Sequence, residues 1–183
     1  MSEADWNAYT DPLSMLKFLQ GKVSDRKLRL FACACCRHFQ DGLELDGRLS
    51  QAIEAADEFA DGRLPRRRLE EARAAAEVAR REDVRGNEVG LINVTVADPS
   101  AENAARSTVE VITTVYAKLC VPCETYESAQ SWMAKDIVSY LREVFGNPFR
   151  RVSLDPAWLT PAVVALALGI YDEPSLPAGT LDT

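Results

Sequence analysis

Residues 25–37 read DRKLRLFACACCR, and this stretch decides the fold of the chain. Apolar residues recur along it at the spacing of an α-helix, and further apolar residues fill the opposite side. The first face carries Leu28, Phe31, Ala32, Cys35 and Phe39, and the second carries Leu30, Cys33, Ala34 and Cys36. A helix that is apolar nearly all round is buried in a core. The stretch therefore predicts a central helix on which the other elements pack.

Shorter apolar stripes on either side of this stretch predict further helices. Their starts are marked by Asp11-Pro12, Pro65 and Asp98-Pro99, where a proline occupies the first helical turn. We predict an all-α fold, a single-domain helical bundle of about six to seven helices over residues 1–172, followed by a flexible C-terminal tail at residues 173–183. Only residues 89–96 have the pattern of a strand. They lie within residues 81–97, the one long connection whose secondary structure the pattern does not decide.

Length, charge and hydropathy exclude several classes of protein. The chain has 183 residues, which is typical of one domain, and a formal net charge of −7. Its longest apolar runs are about half of the ~20 residues that span a bilayer, so we expect no membrane partner. No secretory signal pattern opens the sequence, which predicts a cytoplasmic protein. A sequence pI near 4.9 argues against a nucleic-acid partner, because neutralising phosphates requires a basic face.

The sequence lacks the common catalytic motifs. It contains no G-x-x-x-x-G-K-[ST], no G-x-G-x-x-G and no H-E-x-x-H pattern. His38 is the single histidine, so one chain cannot form a two-histidine metal site. Carboxylates are numerous, but neighbours on a helix diverge and do not form an acid–base pair. We therefore predict no catalytic residues and favour a non-enzymatic protein. An enzyme that acts on a small molecule is left as an open alternative, and it would need a deep polar pocket with convergent charged groups.

The cysteines allow three interpretations. Cys33 and Cys36 lie three residues apart on the central helix, and Cys120 and Cys123 form a second C-x-x-C pair. Two such pairs meet the requirement of a tetrahedral Zn²⁺ site, so these four residues are candidate metal ligands. The second pair also has the spacing of a thiol-redox motif, although no βαβ pattern surrounds it. Packing is the third interpretation and the favoured one, because buried cysteine behaves as a small hydrophobic residue.

Four blocks of the sequence form recognisable motifs. Residues 25–37 read DRKLRLFACACCR, residues 3–6 read EADW, residues 141–150 read LREVFGNPFR and residues 155–160 read DPAWLT. These blocks resemble those of an uncharacterised family that is abundant in planctomycete bacteria. The resemblance covers both ends of the chain and implies no catalytic or cofactor-binding residues. The second cysteine pair lies outside the family pattern.

The hypothesis that these observations favour is a non-enzymatic helical module. It would act through a protein partner or through self-association. The last predicted helix, over residues 161–171, motivates this hypothesis because it is apolar and little chain follows it. Its large apolar residues are Val163, Val164, Leu166 and Leu168. The alternative is a structural zinc-binding or thiol-redox domain built on the two C-x-x-C pairs.

Overall fold

The computed structural model describes residues 1–40, 46–82, 90–116, 125–150 and 155–172. These residues contain nine α-helices and no β-strand, which confirms the predicted all-α class. The helices are α1 (Glu3–Ala8), α2 (Pro12–Leu19), α3 (Asp25–Gln40), α4 (Gly47–Ala60), α5 (Arg66–Glu82), α6 (Leu91–Val96), α7 (Ala101–Val111), α8 (Tyr126–Phe145) and α9 (Pro161–Asp172). None of these described helices is long and apolar enough to cross a membrane.

Two short helices raise the number above the six to seven predicted. In α1, Ser2 and Asp5 form a capping box, in which each side chain accepts a hydrogen bond from the other's backbone N–H. The other is α6, which lies within residues 81–97, the connection that the sequence pattern left open. A short apolar run fits helix and strand equally well. Here the helix is favoured because it pairs its own backbone groups, whereas a lone strand leaves them unpaired.

The chain divides into two compact units, Met1–Pro148 and Phe149–Thr183. Within the second unit, the described elements are a 3₁₀ turn at Pro156–Trp158 and helix α9. The predicted tail, residues 173–183, lies outside the described residues, so the predicted boundary after residue 172 stays a prediction.

Helix α3 is the centre of the first unit. It contacts α4, α6, α7 and α8, and this confirms the central helix predicted from residues 25–37. Its fully buried side chains are Phe31, Ala32, Cys33, Cys35 and Cys36. Burying the aromatic ring alone contributes about 1.5–3 kcal/mol relative to leaving it exposed. Because four helices pack on α3, its side chains lie at the centre of the core that these helices share.

The core contains a buried cation that was not predicted from the sequence. Arg29 lies on α3, only 2% exposed, among the apolar residues of the core. Its guanidinium donates hydrogen bonds to the carbonyl oxygens of Val96, Asp98 and Pro99 at 3.1, 2.7 and 3.1 Å. It also lies 5.0 Å from the centre of the Phe59 ring on α4. Because the last carbonyls of a helix have no partner within it, Arg29 provides one for the end of α6 and fixes the turn into α7.

An amide pair fixes α6 on its other side. Asn93 is fully buried, and its amide group and that of Gln40 on α3 donate to each other. Asn93 Nδ2 also donates to the carbonyl of Leu49 at 2.9 Å, which links α6 to α4. On α7, the hydroxyl of Thr108 lies 3.3 Å from that of Thr95. A buried amide without such partners is costly, so these contacts determine how α6 packs.

A second arginine links the two ends of the first unit. Arg142 on α8 donates to the carbonyl oxygens of Trp6, Asn7 and Tyr9, with the shortest contact of 2.8 Å to Tyr9. These carbonyls lie at the end of α1, where the helix itself supplies no donors. The Trp6 side chain is buried, so the guanidinium and the indole together attach α1 to the core.

Replacing Arg29 by methionine is expected to destabilise the protein strongly. The substitution keeps the apolar stem but leaves three carbonyls without their donor. We expect the free energy of unfolding to fall by about 3 kcal/mol or more, since each hydrogen bond to a charged group contributes roughly 1.5–3 kcal/mol. Urea denaturation followed by circular dichroism measures this loss.

Arg67→Met is the matched control for that experiment. Arg67 lies on the exposed side of α5, where its side chain is 82% exposed and pairs with Glu71. Exposed ion pairs on a helix contribute little, so the unfolding midpoint of Arg67→Met should remain close to that of the wild type. Equal losses in the two variants would contradict the role given to Arg29.

Candidate functional site

The first two candidate metal ligands lie deep in the core. The thiol of Cys33 contacts the carbonyl oxygen of Ile53 on α4 at 3.9 Å, and the thiol of Cys36 contacts that of Ile92 on α6 at the same distance. Each thiol therefore has a partner on a different helix. The other two candidates, Cys120 and Cys123, lie outside the described residues.

The environment of these thiols keeps them protonated. Burial raises the pKa of Cys33 well above its ordinary value, and the nearby carboxylate of Asp57 raises it further. Burial also raises the pKa of Cys36 and Cys35. Nucleophilic attack needs the thiolate, so this environment favours packing over redox chemistry. Within the described ranges, no group of three or more His, Cys, Asp and Glu residues is arranged to hold a metal ion. The four-cysteine zinc site stays a prediction.

A chelator separates packing from zinc binding. If the cysteines pack the core, EDTA should leave the Tm of the wild type unchanged. Cys33→Ala should lower the Tm by about 2–4 °C, the shift that about 1 kcal/mol produces in a domain of this size. Differential scanning fluorimetry of both proteins, with and without EDTA, measures this. A wild-type Tm that EDTA lowers to the value of Cys33→Ala would contradict packing and support zinc.

The described residues form a groove between α2 and α7. Its volume is about 480 Å³, within the range of binding pockets. One wall is α2, which begins where Asp11 accepts hydrogen bonds from the backbone N–H groups of Leu13 and Ser14. The other wall is α7. Its cap is Ser100, two residues after the predicted start at Asp98, and the carboxylate of Asp98 accepts from the Ser100 N–H.

The floor of the groove is apolar and its rim is charged. The floor consists of Leu13, Leu16, Leu28 and Ala105, contributed by α2, α3 and α7. Leu13 is half-buried and the other three are buried. The charged and amide residues of the rim are Lys17, Gln20, Glu102, Asn103, Arg106 and Glu110. This combination of an apolar base and a polar edge is typical of surfaces that bind another molecule.

Most of the rim groups already have partners. Gln20 Nε2 donates to Glu102 Oε2 at 3.1 Å, and Arg106 Nη1 lies 2.8 Å from Glu110 Oε1. Lys17 differs, because no other described residue forms an ion pair or hydrogen bond with its side chain. Among the described residues, Lys17 is therefore a rim cation without an ion-pair partner beside the apolar floor.

A smaller cleft lies between α3 and α8. Its volume is about 230 Å³ and its lining includes His38, Asp136, Tyr140 and Glu143. His38 Nε2 is 3.5 Å from Asp136 Oδ2, and the imidazole packs against the Tyr140 ring at a tilt of 54°, with ring centres 5.1 Å apart. Burial raises the pKa of Tyr140, with neighbouring carboxylates contributing, so its hydroxyl stays protonated. This cleft lacks the apolar floor that would hold a ligand.

Neither site could be located from the spacing of residues. The groove combines residues about 90 positions apart, and its floor residues have the pattern of ordinary core leucines. The one sequence signal was Lys17, a charged residue between two apolar positions of α2. Comparisons with known proteins bring no further residues. No protein family, curated protein or solved structure matches this chain.

Proposed function

We propose that this protein is a non-enzymatic helical module that binds a protein partner in the groove between α2 and α7. The observation that carries the proposal is the apolar floor beside Lys17, which no other described residue pairs with, because a partner can bury the floor and neutralise the lysine. The alternative, a zinc-binding or thiol-redox domain, has less support because the thiols of Cys33 and Cys36 contact carbonyl groups on two different helices.

A helix is the partner element that suits this groove. Two neighbouring helices leave a channel into which the side-chain ridges of a third helix fit. Helix α2 has eight residues and a length of about 12 Å, so the channel accommodates about two turns of a partner helix. Amphipathic helices commonly bind such grooves through apolar residues spaced three and four apart. The proposed partner therefore presents a short helix with one apolar face.

Selection from a library of displayed helical peptides tests this proposal. Peptides are selected on the wild-type protein and then measured against Leu13→Glu, which places a charge on the floor. We expect the selected peptides to bind Leu13→Glu at least about tenfold more weakly, the loss typical of a residue central to an interface.

Val78→Glu is the matched control variant. Val78 is 48% exposed on α5, away from the groove, and the substitution introduces the same charge. The selected peptides should bind this variant as they bind the wild type. If the library yields no peptides that distinguish Leu13→Glu from Val78→Glu, the groove is not a peptide-binding surface.

Self-association through α9 is a second candidate function. Residues 161–171 contain no charged side chain, and Val163, Val164, Leu166 and Leu168 are exposed within the second unit taken by itself. A helix that is apolar on all sides favours burial against another surface. A second copy of the same helix supplies such a surface in a symmetric pair.

Sedimentation equilibrium tests this second candidate. We expect the wild type and Val78→Glu to form dimers, and Leu166→Glu to be monomeric because dimerisation would bury its carboxylate. A monomeric wild type throughout the micromolar range would contradict self-association and leave the groove proposal unaffected.

A further inference from the structure

The order of charges along the rim of the groove indicates which helix it binds. Gln20 at the end of α2 contacts Glu102 in the first turn of α7, while Leu13 near the start of α2 lines a neighbouring cleft with Thr113, beyond the end of α7. The two walls therefore run in opposite directions. A residue that precedes Gln20 in α2 therefore lies opposite a residue that follows Glu102 in α7.

Lys17 and Arg106 lie at the same level of the groove. Lys17 is three residues before Gln20, and Arg106 is four residues after Glu102, so they lie about 4.5 Å and about 6 Å along their helices from that contact. Both side chains line the groove from opposite walls. Glu102 lies at one end of the rim and Glu110 towards the other.

An anion between the two walls meets little competition. Lys17 has no ion-pair partner among the described residues. Arg106 is paired with Glu110 one turn away on the same helix, and both side chains are about half exposed. Such pairs contribute only a few tenths of a kcal/mol, so Arg106 can turn to another carboxylate at little cost. The rim between Lys17 and Arg106 therefore attracts a negative charge on a partner, whereas the ends of the rim, at Glu102 and Glu110, do not.

On the basis of the proposed function, we infer that the groove binds an amphipathic helix whose apolar stripe is flanked on both sides by acidic residues. The stripe lies on Leu16, Leu28 and Ala105, and the flanking carboxylates reach Lys17 on one wall and Arg106 on the other. Flanking charges of this kind determine partner choice between helices, as they do beside the seam of a coiled coil. They contribute more to specificity than to affinity, because the pairs are exposed.

Three synthetic helical peptides test the inference. They share one leucine stripe and differ only in the flanking residues, which are Glu, Gln or Lys. We expect the Glu-flanked peptide to bind the wild type about fivefold or more tightly than the Gln-flanked one, and the Lys-flanked peptide to bind most weakly. Fluorescence anisotropy gives the three Kd values, and high salt should reduce the differences between them.

A charge reversal on the protein provides the specific readout. Lys17→Glu should weaken binding of the Glu-flanked peptide about fivefold and strengthen binding of the Lys-flanked one. Arg67→Glu is the control, because it makes the same charge change on the outer side of α5 and should alter neither Kd. Lys17 is exposed, so Lys17→Glu is expected to fold, and circular dichroism verifies this.

The possible failures of this inference and of the proposed function are distinguishable. Equal binding of the three peptides, or equal effects of Lys17→Glu and Arg67→Glu, would overturn the inference. If library peptides still require Leu13 in that case, the groove remains a binding surface without a preference for acidic flanks. If the library peptides do not require Leu13 either, both the inference and the proposed function are wrong.

Discussion

The buried guanidinium of Arg29 is the constraint on which the rest of the first unit depends. A charge is expensive to place in a core, and its cost is offset only when every donor has a good acceptor. The acceptors are three carbonyls in the turn between α6 and α7, so this turn can adopt few other shapes. Burial lowers the pKa of Arg29, yet arginine stays charged in proteins, so the constraint holds at any ordinary pH. The next residue, Ser100, caps α7, and Arg29 thereby determines where one wall of the groove begins.

The other wall depends on a second arginine in the same way. Arg142 binds carbonyls at the end of α1, the last of them that of Tyr9. Helix α2 starts only three residues later at Pro12, so its position follows from this attachment. The position of each wall of the groove therefore depends on one arginine, which donates hydrogen bonds to carbonyls at the end of the preceding helix. The arginines belong to residues 25–37 and 141–150, two of the longest blocks singled out in the sequence.

The sequence was sufficient to predict the elements whose cause is local. The apolar pattern of residues 25–37 predicted a central helix, and the cap at Asp11 with Pro12 predicted the start of α2, both confirmed. It was insufficient where the cause lies between elements. Arg29 is one of several basic residues in its stretch, and nothing in its spacing indicates that three carbonyls 67–70 positions later accept its hydrogen bonds. The groove escaped prediction for the same reason, since it exists only once α2 and α7 are side by side.

The amide pair of Asn93 and Gln40 has a consequence for how the first unit opens and closes. Helix α6 has six residues, far fewer than the ~12–15 that an isolated helix needs to be stable in water. Its helical structure therefore depends on its packing against α3, α4, α5 and α7. Local opening of α6 breaks the hydrogen bonds between Asn93 and Gln40 and exposes both buried amides at once. Helix α6 therefore has no stable position in which it is only partly detached. The backbone N–H groups of α6 should then exchange with solvent cooperatively, at rates set by the opening of the core around α3 and not by fraying of a short helix.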